Sequence, residues 1–129
     1  MKRLLLAVIL LISAAAAHAE WKQIGVQVQG AKAYIDDSTI EKTGDMSKVL
    51  VMLDFKKPEI HNAQKPYSSI SYLWEFNCAQ SKRRPLAINR YSGNKASGTV
   101  VQSTPENPEW QFVYPHTIYS AAQEIACAK

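Results

Sequence analysis

The sequence predicts an α+β domain, with about six antiparallel strands in chain order followed by one C-terminal helix. Three observations carry that prediction. From Trp21 onward, apolar and polar side chains alternate in successive short segments, the period of half-buried strands. The spacing turns helical only after Pro115. The two cysteines fall at the end of a long aromatic strand (Cys78) and in the helical segment (Cys127).

A leader precedes these elements. Lys2 and Arg3 are followed by an unbroken apolar run, Leu4 to Ile12, and then by small residues. Ala17-His18-Ala19 has the form of a cleavage site, which makes Glu20 the first mature residue. The expected organisation is a cleaved signal peptide at 1–19 and a single domain at 20–129. The apolar run is shorter than the roughly 20 residues a spanning helix needs. Positions 18 to 22, His-Ala-Glu-Trp-Lys, contain no cysteine that could accept a lipid. The expectation is therefore a soluble periplasmic or secreted protein with no lipoprotein anchor and no stable membrane insertion after cleavage.

In the first strand, Trp21 to Gln29, Ile24, Val26 and Val28 share one face. After a turn at Gly30-Ala31, a short strand runs from Lys32 to Asp36 with Ala33 and Ile35 inward. Asp36-Asp37-Ser38 and Thr43-Gly44-Asp45 have turn chemistry. Lys48 to Lys56 is the strongest strand; Val49, Val51, Leu53 and Phe55 line one face, and Leu50 and Met52 make the other apolar too. Lys57-Pro58 is expected to end it. In Tyr67 to Cys78, Ile70, Tyr72, Trp74, Phe76 and Cys78 share a face, which puts Cys78 on the aromatic side. Arg84 to Ser92 and Thr99 to Ser103 form a hairpin around Gly93 to Gly98, with Leu86 and Ile88 inward. Pro105 and Pro108 frame a loop, and Trp110 to Tyr114 is a last short strand or an extended entry to the helix. In Thr117 to Cys127, Ile118, Ala121, Ala122 and Ile125 make an apolar stripe capped by Thr117. On an ideal helix Cys127 points away from that stripe, so either the helix ends before it or the last turn bends.

Two cysteines in an exported chain favour a structural disulfide, Cys78 to Cys127. A metal site would need further ligands at metal-binding spacing, and His61 and His116 do not supply it. A redox pair would place its cysteines close together in sequence. Formal net charge is +4, and removal of Lys2 and Arg3 leaves +2, which argues weakly for any polyanion. The basic run Lys82-Arg83-Arg84 has the character of a solvated turn, and no nucleic-acid partner is expected. No catalytic set and no cofactor motif is evident. The acid–base candidates for a small hydrolase are His61, His116, Asp54 and Glu75, with Ser68, Ser69 and Ser71 nearby in sequence. For a recognition surface the candidates are Tyr67, Tyr91, Tyr114 and Tyr119.

An ordered set of residues resembles the surface-adhesin protein E family of small exported proteobacterial proteins. The set comprises Trp21, Tyr34-Ile35-Asp36, Ser38-Thr39-Ile40, Asp54-Phe55-Lys56, Ser68-Ser69, Glu75-Phe76-Asn77-Cys78, Tyr91-Ser92-Gly93, Trp110 and Ile125-Ala126-Cys127. The resemblance implies a curved antiparallel sheet with the C-terminal helix tethered to its concave face by the Cys78–Cys127 bond. It also implies a non-catalytic binding protein whose partners are host matrix or serum proteins. The founding adhesin is lipid-anchored, and this chain departs from it at that point. The alternatives are a periplasmic protein that binds a cell-envelope component, and a small hydrolase. Long antiparallel sheets leave edges to be paired or protected, which allows a homodimer.

Overall fold

The computed structural model describes residues 20–28, 30–60, 65–105 and 109–128. The expected leader at 1–19, His61 and Pro108 lie outside the described residues, as do the side chains of Val26 and Val28. The chain forms β1 (Lys22–Val28), β2 (Ala31–Thr43), β3 (Met46–Glu59), β4 (Tyr67–Asn77), β5 (Lys82–Tyr91), β6 (Val100–Pro105), β7 (Gln111–Phe112) and α1 (Ile118–Cys127). Strands β1 to β6 lie side by side in chain order, each antiparallel to the next, and β7 pairs with β5.

Two strands run further than their sequence suggests. The turn expected at Asp36-Asp37-Ser38 is present but does not end β2. Asp36 Oδ1 accepts from the backbone and hydroxyl of Ser38, and Thr39 Oγ1 accepts from the Leu50 N–H. The segment is a bulge: pairing with β3 shifts between Asp36 and Glu41 and then resumes to Thr43. Pro58 likewise does not stop β3. It sits where pairing with β4 is interrupted between Asp54 and Glu59, so its missing N–H breaks no ladder bond. A further bulge, between Leu73 and Trp74 on β4, pairs them with Ala87 and Pro85. Leu86 is thus the extra residue, which breaks the simple alternation expected of Leu86 and Ile88.

The register builds two distinct faces. On one, Ile35, Val51, Tyr72 and Ile88 lie in a row, with Val49 opposite Trp74. This face receives α1, and the core is Ile24, Ala33, Ile35, Val49, Val51, Trp74 and Phe76 against Ala122 and Ala126. Trp74 is its centre: ring centroids lie 5.3 Å from Tyr72, 6.2 Å from Phe76 and 4.8 Å from Tyr119. Such pairs are worth about 0.5–1.5 kcal/mol each beyond their burial.

The helix also explains how Cys127 reaches the sheet. Its fully buried residues are Ala122 and Ala126, while Ile118, Ala121 and Ile125 are only partly buried. At 3.6 residues per turn, the packed face is rotated roughly 70° from the expected stripe, toward Cys127. Two alanines at the contact let the helix sit close, and Tyr119 turns in against Trp74. Cys127 then lies at the flank of the packed face, still helical, with its Cα 5.8 Å from that of Cys78. Neither expected distortion is needed. Ser47 Oγ donates to the Ala126 carbonyl at 2.7 Å, and Lys42 Nζ donates to the Cys127 carbonyl at 3.2 Å. Two carbonyls that a helix end leaves without partners are satisfied in this way. At the other end, Thr117 and Ser120 form a reciprocal capping box.

Candidate functional site

The face opposite α1 carries the polar chemistry. One end of it is covered by the β5–β6 connection, residues 92–98. Ser69, fully buried on β4, donates to the Gly93 carbonyl at 2.6 Å and accepts from the Ala96 N–H at 2.9 Å. Its cross-strand neighbour Asp54 accepts from the Asn94 side-chain amide at 3.0 Å and from the Lys95 N–H at 2.8 Å. These bonds hold Lys95 and Ala96 in the left-handed region, at φ 52° and 56°. Gly98 is also left-handed, and a Cβ there would collide with Ser92 Oγ. Met52 and Tyr34 are buried at this end, with the Lys95 ammonium 5.6 Å from the Tyr34 ring. The second apolar face of β3 therefore has its cover.

At the other end, a row of alternating charge crosses four strands. Glu41 pairs with Lys48, Lys48 with Glu75, and Glu75 with Arg84. Arg84 and Glu75 form an ion pair at 2.6 Å, with a second hydrogen bond from Arg84 Nε at 2.8 Å. Glu41, Thr43, Met46, Lys48 and Glu75 line an open groove of about 340 Å³. The Arg84 guanidinium lies 4.3 Å over the Trp110 ring, and Lys82 Nζ lies 5.2 Å over Phe112, its cross-strand partner. Arg83, of opposite parity, stacks 3.4 Å over Tyr119 on the helix side. The basic run is thus no solvated turn. It lies in β5, and each cation rests on an aromatic ring.

Among the described residues, the hydrolase candidates do not assemble around a histidine, although Asp54 and Ser69 are cross-strand neighbours. His116 is exposed, at φ 60°, in the turn before α1. It lines a separate cleft of about 440 Å³ with Gly25, Pro115, Thr117, Ser120, Ala121 and Glu124. Asp54 and Ser69 hold the 92–98 loop, Glu75 holds Arg84, and Ser71 Oγ donates to Tyr91 Oη at 3.3 Å. Ser68 is buried on β4. The tyrosines do not form a patch either. Tyr67 is buried and packs edge-on against Phe55, Tyr91 and Tyr119 are half-buried, and Tyr114 is exposed. The residues that sequence reasoning missed are Trp110 and Phe112. Their alternation with Val113 was visible, but their pairing with Lys82 and Arg84 across β5 was not.

Among the described residues, no group of His, Cys, Asp or Glu is placed to hold a metal ion. No helix among them is long and apolar enough to cross a membrane. Near the β1 edge, Lys22 pairs with Asp37 at 2.8 Å, and the hydrogen bond and charge of Asp37 hold its ammonium above the ordinary lysine value of 10.5.

Several solved structures share this fold. The selenomethionine form of Haemophilus influenzae protein E aligns with a TM-score of 0.66 at 15% identity, covering 86% of this chain and 88% of that one. Protein E from non-typeable Haemophilus influenzae aligns at 0.61 and 15% identity, covering 88% and 79%. Crystal form II of Haemophilus influenzae protein E aligns at 0.60 and 17% identity, covering 85% and 97%. No curated protein sequence matches this chain. The family model for surface-adhesin protein E matches residues 21–128, from the residue before β1 to the residue after α1. This chain belongs to the surface-adhesin protein E family.

Proposed function

We propose that this chain is an exported, non-catalytic binding protein of the surface-adhesin type, whose partners are host matrix or serum proteins. The observation that carries this reading is the family match across residues 21–128, which takes in every strand, the helix and both cysteines. In this reading residues 1–19 are removed on export and the oxidised domain is released without a lipid anchor. Self-association through the outer edge of the sheet belongs to this reading: strand β6 carries no charged residue and Val100 on it is 52% exposed, while the bulge at Val101 and Pro105 limit the edge open to pairing. Purified oxidised protein is expected to bind immobilised laminin or vitronectin saturably. A flat response from correctly folded protein on both surfaces contradicts the reading.

A second reading, a periplasmic protein with a cell-envelope partner, is favoured by the absence of a cysteine at positions 18 to 22. Fractionation of producing cells with a C-terminal tag separates the two. Protein at the surface or in the medium supports the first, and a strictly periplasmic protein supports the second.

A further inference from the structure

We infer that the ledge formed by Trp110, Phe112, Tyr114 and Lys82, together with the charge row beside it, is a binding site for a uronate-bearing glycan chain. This inference is independent of any protein partner.

The segment 110–114 is extended and continues its pairing with the 81–83 stretch through the Val113 N–H, which donates to the Ser81 carbonyl. Val113 packs into the core, so alternation turns Trp110, Phe112 and Tyr114 to the face opposite the helix. Four large hydrophobic residues are prominently exposed among the described residues, and two are here: Phe112 at 60% and Tyr114 at 68%. Residues two apart on an extended strand are roughly 6–7 Å apart, so the rings form a stepped line.

The charges beside that line fall into two kinds. Glu41, Lys48, Glu75 and Arg84 alternate in sign across adjacent strands; Glu75 is buried against Arg84, so the row offers exposed Glu41 and half-buried Lys48 and Arg84, with little net charge. Lys82 differs: its ammonium faces the Phe112 ring, and its own row continues across the sheet as the uncharged Asn77 and Met46. The ledge therefore offers the exposed rings of Phe112 and Tyr114 beside a Trp110 ring capped by Arg84, the charge of Lys82 at the Phe112 ring, and an adjoining groove of polar groups.

A uronate glycan matches this in each part. The C–H face of a pyranose lies on an exposed ring, and vicinal hydroxyls donate to carboxylates and accept from cations. A carboxylate on every second sugar meets Lys82. A densely charged strand such as single-stranded nucleic acid matches less well. It needs a continuous positive track beside its stacking rings, and here the track is interrupted by Glu75 and Glu41.

The test is titration of the oxidised protein with a hyaluronan decasaccharide at low salt, with dextran and oligothymidylate as comparison ligands. Saturable binding to hyaluronan is expected, with dextran weaker. The double variant Phe112→Ala/Tyr114→Ala alters two exposed side chains and should weaken binding about tenfold or more with an unchanged unfolding midpoint. Lys82→Gln should weaken it severalfold and flatten its salt dependence. Lys95→Gln, at the far end of the same face, should leave it unchanged. The inference is overturned by no saturable binding, by dextran binding equally well, or by oligothymidylate binding more tightly. Insensitivity to the double variant also overturns it, as does a loss at Lys95→Gln equal to that at Lys82→Gln. Laminin or vitronectin binding by the same variants is scored separately, so either reading can fail alone.

Discussion

The two faces of this sheet are made by alternate residues of the same strands, yet they are covered by different chemistry. Toward the helix, Ile35, Val49, Val51, Trp74 and Phe76 are buried against two alanines, and a disulfide closes the layer. On the opposite side, Asp54, Ser69, Glu75 and Arg84 hold a loop and an ion pair, and an aromatic ledge stays open to solvent. The helix face derives its stability from non-directional apolar burial, so its energy is large and shared among many residues. The opposite face adds directional bonds at named atoms to the buried Met52 and Tyr34, so part of its energy is local, while Phe112 and Tyr114 stay exposed. In the proposed binding role, this separation would let the recognition surface vary without unfolding the scaffold.

The largest difference between the two faces is expected from cutting the disulfide. Replacing both cysteines with alanine frees a loop spanning 49 residues. The expected loss is about 4 kcal/mol, an upper figure from chain entropy, measured by denaturant unfolding of the oxidised protein against the variant. A loss below 1 kcal/mol would mean that packing alone holds the helix.

A smaller effect, confined to the other face, is expected from Ser69→Ala. It leaves the Gly93 carbonyl and the Ala96 N–H without their partner, at about 1–3 kcal/mol. Hydrogen exchange should show residues 92–98 opening while β3 and β4 stay protected. Uniform loss of protection would show that the loop is not a separate unit. Thr117→Ala removes the helix cap, with an expected cost of about 1 kcal/mol and faster exchange in the first turn of α1 only.

The smallest effect concerns Lys22, which is exposed at the surface. Its pKa is raised by Asp37, so its contribution is fully present below the unfolded lysine value and is lost as pH rises through the folded one. From pH 6 to 9 the stability of Lys22→Gln and of the unsubstituted protein should change with pH in parallel, because the lysine stays charged throughout that window. A slope difference within that window would contradict this.

Legibility in the sequence followed the same division. The aromatic side of β4 was readable because Ile70, Tyr72, Trp74 and Phe76 alternate without a break, and the terminal helix because Thr117 caps an apolar repeat. Apolar burial follows period, and period is visible in one dimension. The bulge at Asp36 and the passage of β3 through Pro58 were not readable, since both depend on what the neighbouring strand does at that point. The rotation of α1 toward Cys127 was hidden for a related reason. Alanine contributes little to a hydrophobic stripe, and it was Ala122 and Ala126 that fitted closest to the sheet. The ledge at Lys82, Arg84, Trp110 and Phe112 joins residues from two segments, and no local pattern pairs them. The family resemblance, by contrast, rests on order along the chain and was readable throughout.

The division between the faces is tested most directly by measuring the unfolding free energy of Phe76→Ala and Phe112→Ala under identical conditions. Phe76 is fully buried beside Trp74, whereas Phe112 is 60% exposed. The expected result is a loss of about 3–5 kcal/mol for Phe76→Ala and a change within about 0.5 kcal/mol for Phe112→Ala. Comparable losses at the two positions would contradict it, because the ledge would then be part of the scaffold rather than a surface the scaffold presents.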